Sequence, residues 1–154
     1  MLSQSAEYVL RVVVFLAAQE GKATTTREIA TATHVPEGYL SKLLQSLGRA
    51  NLVHSQRGLH GGFVLTRAPE EITVLDVILA VDMPQRIKGC PLGIESHNEE
   101  LCPLHRRLDE AMAQIEEAFR RTTIGDVVRD QSRTRPLCGL VSKPKRKSKP
   151  VPAA

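Results

Sequence analysis

The first predicted helix of the chain is apolar at most of its positions, whereas in the later helices the apolar residues are more widely spaced. From Val9 to Ala17 nearly every position is apolar, so a helix over residues 5–19 would bury most of its circumference. We expect such a helix at the centre of the molecule, and we expect Gly21 to end it.

Two further helices with a sharp turn between them are predicted next. Thr25 and Glu28 have the spacing of a capping box, so the second helix should begin near Thr26 and break at residues 33–36. In the third helix, over residues 37–50, the leucines recur at i, i+3, i+4 and i+7 and form one buried stripe. Two helices joined by a turn of three or four residues are a helix-turn-helix candidate.

Two short β-type segments follow at residues 52–56 and 63–66, and a glycine-rich connection over residues 57–62 joins them. This pattern predicts a β-hairpin. A hairpin directly after the second helix of a helix-turn-helix is a wing. The predicted fold class is therefore mainly α, a winged helix-turn-helix with a small β-hairpin wing.

The second half of the chain is patterned differently. A short helix is predicted over residues 74–81, and residues 82–102 have no periodicity and contain several prolines and glycines. Pro103 should open a long helix that reaches about Arg121, and residues 123–126 cap one more short turn. The apolar residues of the long helix form a narrow seam near heptad spacing, which favours pairing of two such helices in a homodimer. The seam residues are Leu104, Leu108, Ala111, Met112, Ile115 and Phe119.

Composition supports a helical core and argues against other classes of protein. Of the 154 residues, 42% are hydrophobic and only 3% are aromatic, so the core is built from aliphatic side chains. The longest apolar run is about ten residues and is interrupted by Arg11, which is too short to span a membrane. The start of the chain lacks a basic signal region, and three cysteines are too few for a disulfide scaffold. We therefore expect a cytoplasmic protein with no membrane association.

Charge is distributed unevenly along the chain. Residues 1–69 hold seven Lys/Arg against four Asp/Glu, whereas residues 70–130 hold seven against thirteen. The first part is therefore the one suited to face a polyanion. Residues 141–154 add five Lys/Arg and no acid, which would either strengthen DNA binding without specificity or only aid solubility.

Past Glu37, the outward face of the third helix is small, donor-rich and free of carboxylates, which suits a helix in the major groove of double-stranded DNA. Arg57 on the wing could enter a minor groove, and the N-terminus of the second helix could bind phosphates. An ordinary solvated face, with threonines that only cap, is the alternative. The candidate DNA contacts are Thr25, Thr26, Arg27, Gly38, Tyr39, Ser41, Lys42, Gln45, Arg49, Arg57, Gly58, His60 and Gly61.

Cysteines bracket the irregular stretch. Cys102 is predicted at the N-terminus of the long helix, where the helix dipole favours a thiolate, and His105 follows one turn later. Together with Cys90, and with His97 between the cysteines, these groups suit an iron–sulfur cluster or zinc. Two inert thiols are the alternative. Cys138 lies in the tail and is either free or a resolving thiol.

Several segments, in order, resemble the IscR/NsrR family of transcription regulators. They are Tyr39–Leu44, Asn51–Val53, Arg57–Leu65, Ile72–Val77 and the cysteine-bearing loop. The resemblance covers roughly residues 1–130. It implies a homodimer that binds a two-fold operator through winged helix-turn-helix units. In many members it also implies an iron–sulfur cluster that reports iron, nitric oxide or redox state.

The resemblance also implies a ligand set, although it carries over only in part. The implied ligands are Cys90, Cys102, His105 or His97, and Glu7 of the other subunit. Cys90 and Cys102 match the first and third cysteines of the full motif, and Ser96 stands at the position of the middle one. A non-thiolate ligand in its place would change the potential and lability of a cluster, either 2Fe-2S or 4Fe-4S. Glu7 has a simpler interpretation as a surface acid stabilised by the helix dipole.

These observations predict a transcription regulator, and a repressor in preference to an activator, whose operator affinity depends on the Cys90/Cys102 site. A cluster-free thiol switch and a DNA-binding regulator controlled by a partner protein are the alternatives. An enzyme with a Cys–His pair is disfavoured, because no base with an orienting group can be argued. The predicted organisation is residues 1–82 for DNA binding, 83–102 as a sensor loop, 103–130 for the dimerisation helix and a short terminal helix, and 131–154 as a disordered tail.

Overall fold

The computed structural model describes residues 2–82, 86–90, 93–94 and 100–130. The elements in these ranges are α1 (Gln4–Ala17), α2 (Thr26–Thr33), α3 (Glu37–Arg49), β1 (Val53–Gln56), β2 (Gly62–Leu65), a 3-10 turn (Pro69–Glu71), α4 (Val74–Leu79), α5 (Pro103–Arg121) and α6 (Ile124–Arg129). Apart from the 3-10 turn, which was not predicted, their order and type are those expected from the sequence. Ser96, His97, Cys138 and residues 131–154 lie outside the described residues, so the expectations for them stay predictions.

Helix α1 is the centre of the core. Ser3 caps its N-terminus by accepting the backbone N–H of Ala6 at 3.1 Å. Eight of its side chains are buried, among them Val9 and Val12, which have no exposed surface. Helices α2, α3, α4 and α6 and strand β2 all pack against it. The burial of nearly the whole circumference explains why polar residues are so scarce in this segment.

Helix α1 ends earlier than the sequence predicted. Its last residue is Ala17, and the backbone N–H groups of Gln19 and Glu20 then donate to carbonyls three residues back, at 3.1 and 3.3 Å. This is the tighter 3-10 geometry that often closes a helix. Glu20 and Gly21 follow with φ angles of 51° and 82°. The expectation that Gly21 ends α1 was therefore wrong, because Gly21 ends the turn that follows the helix.

Helices α2 and α3 form the predicted helix-turn-helix. The capping box of α2 is present, with Thr25 and Glu28 each bonded to the other's backbone N–H. The turn begins with His34 in the left-handed region at φ 55°, and Val35 is buried beneath it. The leucine stripe of α3 faces the core, as predicted, and its members are Leu40, Leu43, Leu44 and Leu47.

The wing is fastened to the helix-turn-helix. Strands β1 and β2 pair antiparallel, with Val53 opposite Leu65 and Gln56 opposite Gly62. Thr24, directly before α2, forms an isolated bridge with Phe63 through bonds of 3.1 and 2.8 Å. The base of the wing is therefore held at a fixed place beside the N-terminus of α2.

Helices α4 and α6 begin side by side. The N–H of Val74 donates to Thr122 at 2.9 Å, and the N–H of Ile124 donates to Ile72 at 2.8 Å. Each helix also starts with its own capping box, at Thr73 and Thr123. Helix α5 therefore belongs to the part of the chain that follows α4 and that ends beside the N-terminus of α4, where α4 and α6 both pack against α1.

Candidate DNA-binding surface and cysteine site

The outward face of α3 is open to solvent along its length. The side opposite the leucine stripe carries Gly38, Ser41, Lys42, Gln45 and Arg49, and all five are exposed. From residue 38 to residue 69 the chain has no Asp or Glu, but four Lys/Arg. This continuous carboxylate-free stretch covers α3 after its first residue, Glu37, and the whole wing, so no acid of its own repels a phosphate backbone.

Tyr39 has a structural role that the sequence did not reveal. Its hydroxyl forms a 2.5 Å hydrogen bond with the hydroxyl of Ser5, and its ring meets Tyr8 edge to face at 5.9 Å between centroids. Both partners belong to α1. The contact joins residues 34 positions apart, which periodicity cannot detect. Tyr39 therefore fixes the N-terminal part of α3 against α1.

The N-terminus of α2 is already occupied by a carboxylate of its own chain. Glu28 accepts the backbone N–H and the hydroxyl of Thr25, both at 2.8 Å. These bonds, the backbone one foremost, hold the pKa of Glu28 below its ordinary value. The Thr25 hydroxyl thus belongs to the helix cap, while Arg27, in the same first turn of α2, is exposed.

The tip of the wing is a tight turn closed by a 2.9 Å hydrogen bond from the N–H of Gly61 to the carbonyl of Gly58. Leu59 and His60 are its two central residues, and both are exposed, as is Arg57 before them. Leu59 is 96% exposed. The turn therefore presents one cation, one apolar side chain and one imidazole at the farthest point of the wing.

Cys102 and His105 form a pair at the start of α5. Cys102 is the N-cap residue, and its Sγ lies 3.3 Å from Nδ1 of His105. Cys90 is half-buried and, like Cys102, a free thiol. Within the described residues no three or more His, Cys, Asp or Glu side chains are grouped closely enough to hold a metal ion. Among the described residues, Cys102 and His105 are thus a pair of potential ligands without a third group beside them.

Glu7 is engaged on its own helix. Nε and Nη2 of Arg11 both donate to the Glu7 carboxylate at 3.1 Å, and the Arg11 guanidinium lies 5.6 Å from the Tyr8 ring centre. Glu7 is exposed in the first turn of α1. Within the part of the chain that is described, no cluster of metal-binding type joins it to either cysteine.

Comparison with known proteins decides the family. A family model described as an iron-dependent transcriptional regulator, Rrf2, matches residues 2–130. The chain belongs to the Rrf2 family. Members of this family are transcriptional regulators and not enzymes, and the predicted resemblance to IscR and NsrR proteins is confirmed.

Individual relatives agree with this assignment. The chain is 30% identical over 142 residues to the transcriptional regulator NsrR of Geobacillus kaustophilus, which covers 88% of this chain and 95% of that protein. Among solved structures, CymR, the global cysteine regulator of B. subtilis, superimposes with a TM-score of 0.68 at 29% identity and covers 82% of this chain and 95% of CymR. IscR of T. potens gives a TM-score of 0.67 at 26% identity, over 82% of this chain and 84% of IscR. The winged helix fold predicted from the sequence is therefore confirmed.

An ion-pair clamp holds the Cys90 segment of this Rrf2 protein against α5. Nε and Nη2 of Arg86 donate to the two carboxylate oxygens of Asp109 at 2.7 and 2.6 Å, and the N–H of Ile87 donates to the same group at 2.9 Å. The Arg86 hydrogen bonds are the main reason that the pKa of Asp109 falls to about 2. Sequence reasoning missed this clamp, because its members are 23 residues apart and have no motif spacing.

The apolar seam of α5 divides into two parts. Phe119 packs against the core of its own chain and Met112 is half-buried. Leu104, Leu108 and Ile115 are 65%, 48% and 56% exposed. The outer part thus places large apolar side chains in water along one side of a helix that has no buried residue. No helix of the described residues is long and apolar enough to cross a lipid bilayer.

Proposed function

We propose that this Rrf2 protein is a homodimeric DNA-binding repressor whose two α3 helices enter the major groove of a two-fold operator. The observation that carries the proposal is the carboxylate-free surface of residues 38–69, which comprises α3 after Glu37 and the wing and is tied to α2 by backbone hydrogen bonds. Exposed donors on α3 match the groove that can distinguish all four base pairs. The bridge between Thr24 and Phe63 keeps the wing in a fixed relation to α2, so both elements address one duplex together.

Each candidate side chain has a specific part in this complex. Ser41, Gln45 and Lys42 face the base edges and nearby phosphates, and Arg49 lies at the far end of the same face. Arg57 and His60 on the wing face the adjacent minor groove. The N-terminal part of α2 contributes Thr26 and Arg27 to the phosphate backbone. Gly38, Gly58 and Gly61 let the backbone approach the duplex closely, while Thr25 and Tyr39 position the helices that make contact.

Dimerisation is supported by the outer seam of α5. Three large apolar side chains on one side of a helix lose their water contact when two copies pair. A two-fold pair of α5 helices also yields two reading units related by symmetry, as a palindromic operator requires.

The sensor site is proposed to hold an iron–sulfur cluster, 2Fe-2S or 4Fe-4S, shared between Cys90, Cys102 and His105 of one subunit and Glu7 of the other. The Cys102–His105 pair at the N-terminus of α5 and the iron-dependent description of the family support this assignment. A cluster would supply reversible redox chemistry and lability toward iron loss. The protein places the Cys102 thiol and the His105 imidazole next to each other, and the Arg86–Asp109 clamp holds the Cys90 segment against α5.

A second candidate is a thiol switch without a metal. It is favoured by the observation that the described residues of one chain assemble no group of three metal ligands. In that version Cys90 and Cys102 are oxidised to a disulfide and lose two electrons and two protons to an oxidant, which changes the position of α5.

The DNA-binding proposal is tested with duplexes selected from a randomised library. The Lys42→Ala variant should bind the selected duplex more weakly and should lower the salt dependence by about one counterion. Lys88→Ala removes the same charge from an exposed position in the Cys90 segment, outside the proposed surface, and is the matched control. Equal loss in both variants, or no duplex retained by the wild type at low salt, would contradict the proposal.

The cluster is tested on protein purified without oxygen. Iron, acid-labile sulfide and visible absorption are measured for the wild type, Cys102→Ala and His105→Ala, with Cys138→Ala as the thiol control. The cluster version expects iron and sulfide in the wild type and the control and their loss in Cys102→Ala. A colourless, metal-free wild type that forms a Cys90–Cys102 disulfide under oxidant would favour the switch.

A further inference from the structure

Leu59 stands at the tip of the wing with almost its whole side chain in water. Its exposure of 96% is far above that of the half-exposed leucines of α5, Leu104 included. Leaving a leucine side chain in water forgoes about 1.5–3 kcal/mol of burial free energy. The folded chain therefore gains no burial free energy from leucine at this position, and the whole side chain is available for contact with a partner.

The tip holds Leu59 in a defined place. The bond between Gly61 and Gly58 closes the turn, and a Cβ atom on Gly61 would lie 2.6 Å from the carbonyl oxygen of Gln56. Glycine at position 61 therefore lets the two sides of the hairpin approach closely. The base of the same hairpin is bonded to Thr24. The turn is thus closed by its own hydrogen bond and held at its base, and it exposes the side chains of Leu59 and His60.

The neighbours of Leu59 identify the chemistry of its partner. Arg57 and His60 are both exposed beside it, and the nearest acids in the chain are Glu37 and Glu70, well outside the wing. An apolar tip flanked by cationic or imidazole groups suits a narrow cleft with anionic walls and an apolar interior. The minor groove of DNA has these properties, because its phosphates line the edges and its deoxyribose rings line the walls.

We propose that Leu59 enters the minor groove beside the α3 site and makes the wing select A·T base pairs. This rests on the proposed DNA-binding function and adds a specificity determinant to it. A·T pairs expose only acceptors at the groove floor, whereas a G·C pair adds the guanine 2-amino group. That amino group occupies the space that the leucine methyl groups need, and burial against leucine would also remove its water.

The test uses a duplex selected from a randomised library, with the base pairs under the wing located by hydroxyl-radical footprinting. In two derivatives those pairs are replaced by G·C or by inosine·cytosine. Inosine·cytosine keeps the major-groove pattern of G·C but lacks the 2-amino group. The wild type should bind the G·C duplex about 10-fold more weakly and the inosine duplex nearly as well as the original.

Two variants separate the leucine from the rest of the wing. Leu59→Ala should bind the selected duplex several-fold more weakly and should discriminate less between the three duplexes, while Leu59→Met should retain most of the discrimination. Because Leu59 is solvent-exposed, neither variant should change the thermal unfolding midpoint. Wild-type levels of affinity and discrimination in Leu59→Ala would overturn the inference, and so would equal rejection of the inosine and G·C duplexes. If the wild type binds none of the duplexes, the DNA-binding proposal itself fails.

Discussion

The two halves of the described chain are stabilised in different ways. Between residues 2 and 82, every helix of eight or more residues buries part of its surface within the same chain, and α1 buries most of its circumference. In contrast, α5 has no buried residue and exposes three large apolar side chains. The first half therefore forms its core within one polypeptide, whereas α5 leaves apolar side chains in water that a second surface would cover. Under the proposed function, a unit that reads DNA and a helix that pairs subunits would make these opposite demands on burial.

The largest expected effect comes from placing a charge on the outer seam of α5. Leu108→Glu puts a carboxylate into both sides of a symmetric interface, so we expect monomers at micromolar concentration. Operator affinity should fall by at least about 100-fold, because two linked reading units become one. Sedimentation and DNA retardation measure both effects.

Gln114→Glu is the control for this substitution. It adds the same charge at an exposed position about 100° around the helix from Ile115. A variant Leu108→Glu that stays dimeric would show that the outer seam is not the interface.

A core substitution should act on the other half of the molecule alone. Leu40 has no exposed surface, so Leu40→Ala should lower the free energy of unfolding by about 2–5 kcal/mol. Because the cavity lies within one chain, denaturation should show this loss at all protein concentrations. Leu108→Ala should instead reduce the concentration dependence of unfolding. If Leu40→Ala changed only that dependence, the contrast between the halves would be wrong.

The base of the wing provides a smaller test. A Cβ atom on Gly62 would lie 2.5–2.7 Å from backbone atoms of Thr24, so Gly62→Ala must separate the wing from α2. We expect a loss of about 1–3 kcal/mol in unfolding free energy, together with weaker DNA binding. Gly48→Ala in α3 is the control, since its Cβ meets nothing closer than 3.9 Å. Undiminished DNA binding by Gly62→Ala would contradict the fixed wing.

The smallest effect concerns the clamp of the Cys90 segment. The Arg86 hydrogen bonds lower the pKa of Asp109 to about 2, so the clamp contributes stability above the ordinary pKa of 3.8 and loses it as pH falls through about 2. The stability difference between wild type and Asp109→Asn should thus be constant near neutral pH and shrink in acid. At neutral pH the variant should hold iron about 10-fold less tightly, as outer-sphere changes do. An unchanged pH profile and unchanged iron affinity would exclude the clamp as a positioning device.

Local sequence patterns predicted most of the fold, but they could not predict contacts between residues that are far apart in the sequence. The helices and capping boxes follow from spacing within a few residues, such as that of Thr73 and Asp76. The bond between Ser5 and Tyr39 and the pairing of Arg86 with Asp109 join distant positions, and no periodicity marks them. The candidate site was predicted in the same uneven way. The pairing of Cys102 with His105 is local and follows from their spacing, whereas the proposed ligand from a second subunit is one that no spacing rule describes.

The shared starting point of α4 and α6 has a mechanical consequence. The C-terminal end of α5 is held beside the N-terminus of α4 by the backbone bonds at Thr122 and Ile124. Any tilt of α5 would therefore turn about this end as a pivot. A helix of 19 residues is about 28 Å long, so the Cys102 end lies at the far end of a lever arm. A tilt of about 5° about the pivot displaces that end by roughly 2–3 Å on this length. A displacement of that size at Cys102 would therefore require only a small rotation of α5 as a whole.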